Sequence, residues 1–169
     1  MFKLKKSTKK HKKIKKKNIK SNPLISIITV VKNDEKKILK TIKSVFNQSY
    51  KNFEYIIIDG ASKDKTINIL KKNQKKIDIL ISKKDKNLWS AMNKGIALSS
   101  GSIIGIINSG DTYYRNTLKY VKKYFTSNSV ANMYNTGSTT DYSTSNTIHG
   151  SPNRVAYFPM HGDKPFNIG

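Results

Sequence analysis

A chain of 169 residues with a formal net charge of +23 and no cysteine is long enough to bury the hydrophobic core of one domain. The lack of cysteine excludes disulfides, zinc–thiolate sites and thiol nucleophiles. No apolar stretch approaches the roughly 18 residues that a membrane span needs, and the basic N terminus lacks the apolar segment of a secretory signal. We therefore expect a cytoplasmic protein, with a peripheral position at a membrane surface as the alternative.

The positive charge raises the alternative of a basic nucleic-acid-binding protein. Of the 33 basic residues, 31 are lysine, whereas base recognition and bidentate phosphate contacts favour arginine. Eleven of these lysines lie within residues 1–20. Residues 1–22 are therefore predicted to form a basic disordered arm, whose candidate partners are an anionic membrane or nucleic acid, bound weakly.

In chain order, β-branched apolar runs alternate with segments whose apolar residues recur at helical spacing. The predicted strands are 24–31, 53–58, 77–81 and 103–107. The predicted helices bury Ile38, Ile42, Val45 and Phe46; Ile69 and Leu70; Leu88, Met92 and Ile96 of 88–98; and Leu118, Val121 and Phe125. Four strand–helix repeats predict an α/β fold, an open and mainly parallel sheet with helices on both faces, similar to half of a Rossmann domain.

Polar residues at the ends of these elements suggest how the helices begin and stop. Asn33 or Asp34 is suited to cap the first helix, and Asp64 the second. Gly101 follows the third helix and is predicted to terminate it.

Carboxylates follow three of the four predicted strands, at Asp34, Asp59 and Asp111. Ligands of open parallel sheets bind beyond the carboxyl ends of the strands, so we expect these side chains to converge at one edge. The chain has neither a Gly-x-Gly-x-x-Gly turn nor a Gly-x-x-x-x-Gly-Lys-Ser/Thr loop. This argues against an ordinary dinucleotide fold and against a nucleotide hydrolase.

From residue 126 onward the sequence changes character. Residues 126–149 are dominated by Ser, Thr and Asn and predict a long loop or a poorly ordered segment. Residues 150–169 show no clear element. The predicted organisation is a basic arm at 1–22, one α/β domain at 23–125, and a low-complexity, divergent or truncated segment at 126–169.

Five segments, in this order and at this spacing, resemble the glycosyltransferases of family 2. They are 24–34, 41–50, 54–66, 85–96 and 108–111. They are similar to that family's opening strand, first helix and loop, nucleotide-binding strand and turn, helix entrance beside the donor, and acidic metal-binding motif. The resemblance implies the nucleotide-diphospho-sugar transferase fold.

The same resemblance implies an activity: transfer of a sugar, with inversion, from a nucleotide-diphosphate sugar to an acceptor hydroxyl in polysaccharide or glycan biosynthesis. The expected donor is a UDP-sugar, and the acceptor a glycan, a lipid-linked sugar or a protein. Asp111 is then the candidate ligand of Mg²⁺ or Mn²⁺, because both ions take hard carboxylate oxygens. The nucleotide is expected to be bound by Asp59 and Asp85 at the nucleoside, Thr29 and Asn33 at the base, and Lys94 or Lys86 at the phosphates.

Four positions depart from the family's pattern or leave two interpretations open. Gly110-Asp111 replaces two adjacent acids, and Ser90 stands where an acid is often found. Trp89 either stacks on a sugar or nucleobase or belongs to the core. Inversion needs a general base, for which Asp163 is the candidate beyond the metal motif. Since the acceptor half looks C-terminally shortened, the alternative is a catalytically incomplete donor-binding relative or a fragment.

Overall fold

The structure, a computed structural model, describes residues 21–127 and the strand at 154–157. The strands are β1 (Ile25–Val31), β2 (Phe53–Asp59), β3 (Ile79–Ser82), β4 (Ile103–Ile106) and β5 (Arg154–Tyr157). The helices are α1 (Ile38–Phe46), α2 (Thr66–Lys72), α3 (Leu88–Leu98) and α4 (Thr117–Ser127), with a 3-10 helix at Gln74–Lys76. No helix in these ranges is long and apolar enough to cross a membrane. Residues 1–20 of the predicted arm and the candidate base Asp163 lie outside them.

The five strands form one parallel sheet in the order β3-β2-β1-β4-β5. All seven residues of β1 are buried, as expected for a central strand covered on both faces. In the register of the sheet, Ile28 pairs with Ile56 of β2 and with Ile106 of β4. The last residue of β1, Val31, pairs with Asp59. The predicted open parallel sheet is confirmed.

Side chains alternate along β1 and pack into two separate cores, one on each face of the sheet. Ile27 and Val31 pack with Tyr55 and with the apolar faces of α1, α2 and α4. Ile28 and Val30 pack with α3 on the opposite face. Helices therefore cover both faces, as predicted. The inward residues of α1, α2 and α4 that the sequence predicts and the structure buries are Ile38, Ile42, Val45, Leu70, Leu118, Val121 and Phe125.

Helix α3 has the predicted bounds, and two of its three predicted inward residues are buried. Met92 and Ile96 are buried, whereas Leu88 is 49% exposed. The helix packs closest to β1 at Gly95, where an added Cβ would lie 2.6 Å from Ile28 Cγ2. The buried residues of α3 are Ala91, Met92, Gly95 and Ile96, so burial begins only after the first residues of the helix, of which Leu88 is one. The prediction that Leu88 packs inward is therefore wrong.

Two further predictions are wrong. Neither Asn33 nor Asp34 caps α1: the N-cap position is Lys37, which makes no side-chain cap hydrogen bond, because a turn at 35–37 separates the strand's end from the helix. Residues 150–169 do contain an element, since β5 pairs with β4. A strand of four residues at the edge of a sheet is stabilised mainly by its hydrogen bonds to the neighbouring strand, here one distant in sequence. Its own residue pattern is therefore a weak signal.

A hydrogen-bonded cluster at the amino edge of the sheet, which we call the Glu54 cluster, joins Glu54, Ser26, Ser100 and Gly101. Glu54 Oε1 accepts from Ser26 Oγ at 2.5 Å and from the Ser100 N–H at 2.6 Å, and Oε2 accepts from Ser100 Oγ at 2.7 Å. The Gly101 N–H donates to Ser26 Oγ at 2.8 Å. Partial burial alone would raise the pKa of Glu54, but these hydrogen bonds lower that pKa below its ordinary value.

Replacing Glu54 with Gln should lower the unfolding midpoint at pH 7, and the deficit should shrink in acid. A carboxylate with a lowered folded-state pKa stabilises the fold above its unfolded pKa, and this stabilisation is lost as pH falls through the folded pKa. The stabilities of the Glu54→Gln variant and the unaltered protein should therefore converge at pH values below 4.5, the ordinary pKa of this carboxyl group. Urea unfolding at pH 7, 5 and 3.5 measures the gap. A gap that stays constant over this range would contradict the prediction.

Candidate functional site

The candidate site lies at the carboxyl edge of the sheet, where β1 lies between β2 and β4. The chain moves outward from β1 to β2 and β3, then returns to the other side of β1 as β4. Such a reversal leaves a crevice between the loops that follow the two adjacent strands, and ligands of open α/β sheets bind in it. Here the loops are 32–37 after β1 and 107–116 after β4.

The loop after β4 is fixed to helix α1 by Thr41, which is buried. Thr41 Oγ1 accepts the Gly110 N–H at 2.9 Å and donates to the Asp111 carbonyl at 2.8 Å. The Asp111 N–H donates in turn to the Asn108 carbonyl at 3.1 Å. Asp111 is half-buried at this edge. The backbone on both sides of its side chain is therefore fixed.

Gly110 has a φ of +95°, which L side chains rarely adopt. An added Cβ would lie 3.2 Å from Lys37 Cδ and 3.7 Å from Asp34 Oδ2. A second acid beside Asp111 would thus be strained and would face another carboxylate. The glycine at this position follows from the shape of the loop.

Asp34 lies in the loop after β1, and its carboxylate reaches the loop after β4. Its Oδ2 accepts a hydrogen bond from Ser109 Oγ at 2.6 Å. Its N–H donates to Thr66 Oγ1 at 2.9 Å. The sequence singles out Asp34 as a strand-end carboxylate and as a cap, but it contains no signal for a partner 75 positions away.

Asp59 ends β2 and is fully buried. Its Oδ1 accepts from Ser62 Oγ at 2.5 Å, and its Oδ2 accepts from Ser82 Oγ at 2.5 Å. The Ser62 N–H adds bonds of 3.3 and 3.2 Å. The sequence analysis did not assign a role to Ser82, although its place at the end of β3, in register with Asp59, is a usable signal.

Asn33 joins the loop after β1 to the loop after β2. Its N–H donates to Ser62 Oγ at 2.8 Å, and its Oδ1 accepts the Lys63 N–H at 2.8 Å. Its φ of 51° is left-handed, a conformation that asparagine tolerates better than most residues. Asn33 binds the Asp59 side of the crevice and its neighbour Asp34 binds the Asp111 side, so the structure brings both carboxylates to one edge.

Asp64 contacts the start of α2, but the N-cap position is the next residue, Lys65, so the predicted cap is displaced by one residue. Its Oδ1 accepts the Thr66 N–H at 3.0 Å and its Oδ2 accepts the Glu35 N–H at 3.1 Å. The side-chain hydrogen bond of Thr66, together with these backbone bonds, lowers the pKa of Asp64 below its ordinary value.

Asp85 precedes α3 and forms an ion pair with Lys94 of that helix, with Nζ and Oδ1 2.5 Å apart. Its other oxygen, Oδ2, is buried without a hydrogen-bond partner in the described part of the chain. A buried carboxylate oxygen without a donor is costly. A hydroxyl of a bound ligand could satisfy it.

The structure gives the surroundings of three other positions, Thr29, Trp89 and Ser90. Thr29 is fully buried, with its Oγ1 3.0 Å from the Tyr55 hydroxyl, so the predicted base contact is wrong: a strand position facing the core cannot reach the crevice. Trp89 is 49% exposed, which excludes the core interpretation. Ser90 donates its N–H and its hydroxyl to Asn87 Oδ1, which caps α3.

The oxygen ligands at this edge fit a divalent cation bound mainly by its nucleotide. Among residues 21–127 and 154–157, no group of three or more His, Asp or Glu side chains could hold an ion by itself. Mg²⁺ is commonly held by one or two carboxylates together with phosphates and water. Asp111 is the candidate for one such carboxylate.

Sequence comparison identifies relatives over most of the described domain. The profile described as Glycosyl transferase family 2 matches residues 26–167. An uncharacterized glycosyltransferase of Mycobacterium tuberculosis is 35% identical over 94 residues, covering 55% of this chain and 36% of the relative. A dolichyl N-acetyl-alpha-D-glucosaminyl phosphate 3-beta-D-2,3-diacetamido-2,3-dideoxy-beta-D-glucuronosyltransferase of Methanococcus voltae is 39% identical over 92 residues, with coverages of 50% and 28%. The chain spans about a third of the length of these relatives.

Two solved structures share the fold. S. aureus TarS 1–349 in complex with UDP-GlcNAc has a TM-score of 0.55 at 23% identity, over 60% of this chain and 30% of that one. The mannosyltransferase PcManGT of Pyrobaculum calidifontis, in complex with GDP-Man and Mn²⁺, has a TM-score of 0.58 at 19% identity, over 64% and 34%. At these identities the similarity concerns the fold alone.

Proposed function

Because the chain belongs to glycosyltransferase family 2, we propose that it transfers a sugar from a nucleotide-diphosphate sugar to an acceptor hydroxyl with the help of a divalent cation. The observation that carries this proposal is the reversal of strand order at β1 and β4, the place where ligands of open α/β sheets bind. Asn33 and Asp34, adjacent in sequence, bind the loops that hold Asp59 and Asp111 respectively. Both carboxylates thus lie at one edge of the sheet, which supports a nucleoside contact by Asp59 and a cation contact by Asp111.

The nucleoside end of the donor is assigned to Asp59, Asn33 and Asp85. Asp59 already accepts hydroxyl hydrogen bonds from two serines, and ribose hydroxyls offer the same donor. Asp85 Oδ2 is a buried acceptor without a donor, which favours a ligand hydroxyl or N–H beside it. Lys94 is bound to the other oxygen of Asp85, so the proposed phosphate contact requires this ammonium group to be shared with Asp85.

The diphosphate end is assigned to Asp111. Its backbone is held at the carbonyl by Thr41 and at the N–H by Asn108, so the main chain that carries the carboxylate is fixed at this edge. Mg²⁺ and Mn²⁺ suit such an oxygen ligand. When bound, the cation offsets the charge that develops on the leaving diphosphate.

The proposed acceptor is inferred from the relatives, and the proposed general base is one residue outside the described ranges. The Methanococcus voltae relative is named for a lipid-linked sugar phosphate acceptor, which supports a glycan or lipid-linked acceptor here. UDP is the proposed donor nucleotide, as in the TarS complex, with GDP the competing choice from PcManGT. Direct displacement with inversion needs a general base, and we assign this role to Asp163.

Titration calorimetry with UDP and with GDP, each with and without Mn²⁺, tests the proposal. The unaltered chain should bind one nucleotide more tightly when Mn²⁺ is present. Asp111→Ala should weaken the Mn²⁺-dependent binding by roughly 100-fold, because the protein's carboxylate ligand is lost. Asp78→Asn is the matched control, since this acid accepts the Tyr55 N–H near the start of β3, away from the crevice.

Two results would count against the proposal. One is Mn²⁺-dependent binding that survives Asp111→Ala. The other is tight binding of DNA, without nucleotide binding, by the chain that lacks residues 1–20, which would favour the nucleic-acid alternative. Release of UDP from a UDP-sugar with and without acceptor then distinguishes a transferase from a donor-binding relative without turnover.

A further inference from the structure

The contact between Asp34 and Ser109 joins the two sides of the crevice next to the proposed cation ligand. The O–O distance of 2.6 Å is in the range of a hydroxyl that donates to an ionised carboxylate, which is a strong class of hydrogen bond. Both side chains are half-buried, so water competes less for them than at an exposed site. Ser109 is two positions before Asp111.

Asp34 is itself held in place by its backbone. Its N–H donates to Thr66 Oγ1 at 2.9 Å. Its carbonyl accepts from the N–H groups of Lys37 and Ile38 at 3.2 and 3.0 Å. The carboxylate is therefore a fixed acceptor for the loop after β4, and it plays no part in capping α1.

The loop between Ser109 and Asp111 needs such an acceptor because it passes through Gly110. A glycine at a φ of +95° has access to many other conformations, so the loop's shape depends on contacts at both of its sides. Thr41 provides one contact, through the Gly110 N–H and the Asp111 carbonyl. Asp34 provides the other, through Ser109.

We propose that Asp34 is a positioning residue for the cation site: through Ser109 it sets the loop conformation that presents the Asp111 carboxylate to the cation–diphosphate. This inference rests on the proposed function. In this proposal the Asp34 carboxylate, in the loop after β1, orients the loop after β4. The position next to Asp111 holds Gly110 and not a second acid. Asp34 acts through Ser109 and is not itself assigned as a ligand.

The test uses Asp34→Ala, Ser109→Ala, the double variant and the conservative Asp34→Asn in the full chain. Hydrogen exchange without nucleotide should show faster exchange of the Gly110 and Asp111 amides in both alanine variants. Calorimetry with the nucleotide that binds the unaltered chain, UDP or GDP, should show the Mn²⁺-dependent affinity reduced about tenfold in each. Affinity without Mn²⁺ should be unchanged. The double variant should lose no more than either single variant, because both remove one contact.

Asp34→Asn keeps the size of the side chain and an acceptor oxygen for Ser109, and it should recover only part of the affinity because a neutral acceptor binds the hydroxyl more weakly than a carboxylate does; a purely steric role would predict full recovery. The inference is overturned if Asp34→Ala weakens binding while Ser109→Ala does not, since Asp34 would then contact the ligand directly. It is also overturned if the two losses add, or if amide exchange is unchanged. If Asp111→Ala retains Mn²⁺-dependent binding, or if neither nucleotide binds with Mn²⁺, the proposed function fails and the inference fails with it; unchanged amide exchange overturns the inference alone.

Discussion

Gly101→Ala should destabilise the domain by about 3 kcal/mol, the upper part of the usual cost of overpacking. An added Cβ would lie 2.6 Å from Ser26 Oγ, 2.7 Å from the Leu24 carbonyl oxygen and 2.8 Å from the Ser26 nitrogen. Two of these three atoms belong to the backbone at the start of the central strand. They cannot move without displacing β1 from the sheet. Urea unfolding followed by circular dichroism measures the loss.

Gly60→Ala is the matched control for this substitution. Its added Cβ would meet the side chain of the exposed Lys32, with the Lys32 Cδ at 3.2 Å and Cβ at 3.3 Å; this Cδ can rotate away, and this Cβ needs to shift by only a few tenths of an ångström. We expect a change within about 0.5 kcal/mol, as for ordinary surface substitutions. Equal losses in the two variants would show that glycine's flexibility, and not the close approach to β1, explains the effect.

Asp59→Asn should weaken nucleotide binding by roughly 10- to 150-fold, which is the range for a lost hydrogen bond to a charged group of about 1.5–3 kcal/mol. The amide keeps the size of the carboxylate but replaces one acceptor oxygen by a donor. It faces two serine hydroxyls that now donate to the buried Asp59 carboxylate, so stability should fall as well. Calorimetry at a temperature well below the unfolding midpoint separates the two effects.

Ser82→Ala distinguishes a ligand role of Asp59 from a structural one. This variant removes one donor to the carboxylate and leaves the carboxylate itself. It should destabilise the fold and retain most of the nucleotide affinity. If Ser82→Ala and Asp59→Asn lose affinity in proportion to their loss of stability, Asp59 serves the fold alone.

The sequence predicts the architecture well because the architecture depends on local patterns. The apolar run at 24–31 and the stripe of Ile38, Ile42 and Val45 have the periods of a buried strand and an amphipathic helix. The family resemblance over five ordered segments is confirmed by the profile match. Asp34, Asp59 and Asp111 could be placed at one edge because parallel strands share their carboxyl ends.

The errors come from contacts that no local pattern encodes. Thr29 lies near the end of β1 in sequence, but its side chain is on the strand face that packs into the core, where its hydroxyl contacts the hydroxyl of Tyr55. The same burial raises the pKa of Tyr55. Leu88 matched a helical stripe, yet the helix contacts β1 at Gly95 instead. The prediction that Gly101 terminates α3 is wrong, since the helix ends earlier, with Ser99 in an extended conformation. Glycine is needed at position 101 because the chain passes close to Leu24 and Ser26.

The side-chain hydrogen bonds across the site are the least predictable part. Asp34 and Ser109 are separated by 75 positions and Thr41 and Gly110 by 69. Their residue types are common in loops, so nothing in the sequence singles them out as partners.

The placement of β4 beside β1 has a consequence for biosynthesis. As the ribosome releases the chain, β1, β2 and β3 can associate in order, while one long edge of β1 has no neighbour until residues 103–106 emerge. That edge consists of unpaired N–H and C=O groups on an apolar strand, which is the kind of surface that recruits other chains. A nascent chain that pauses before residue 103 would therefore be prone to aggregate, and the crevice would be the last part of the described domain before α4 to form.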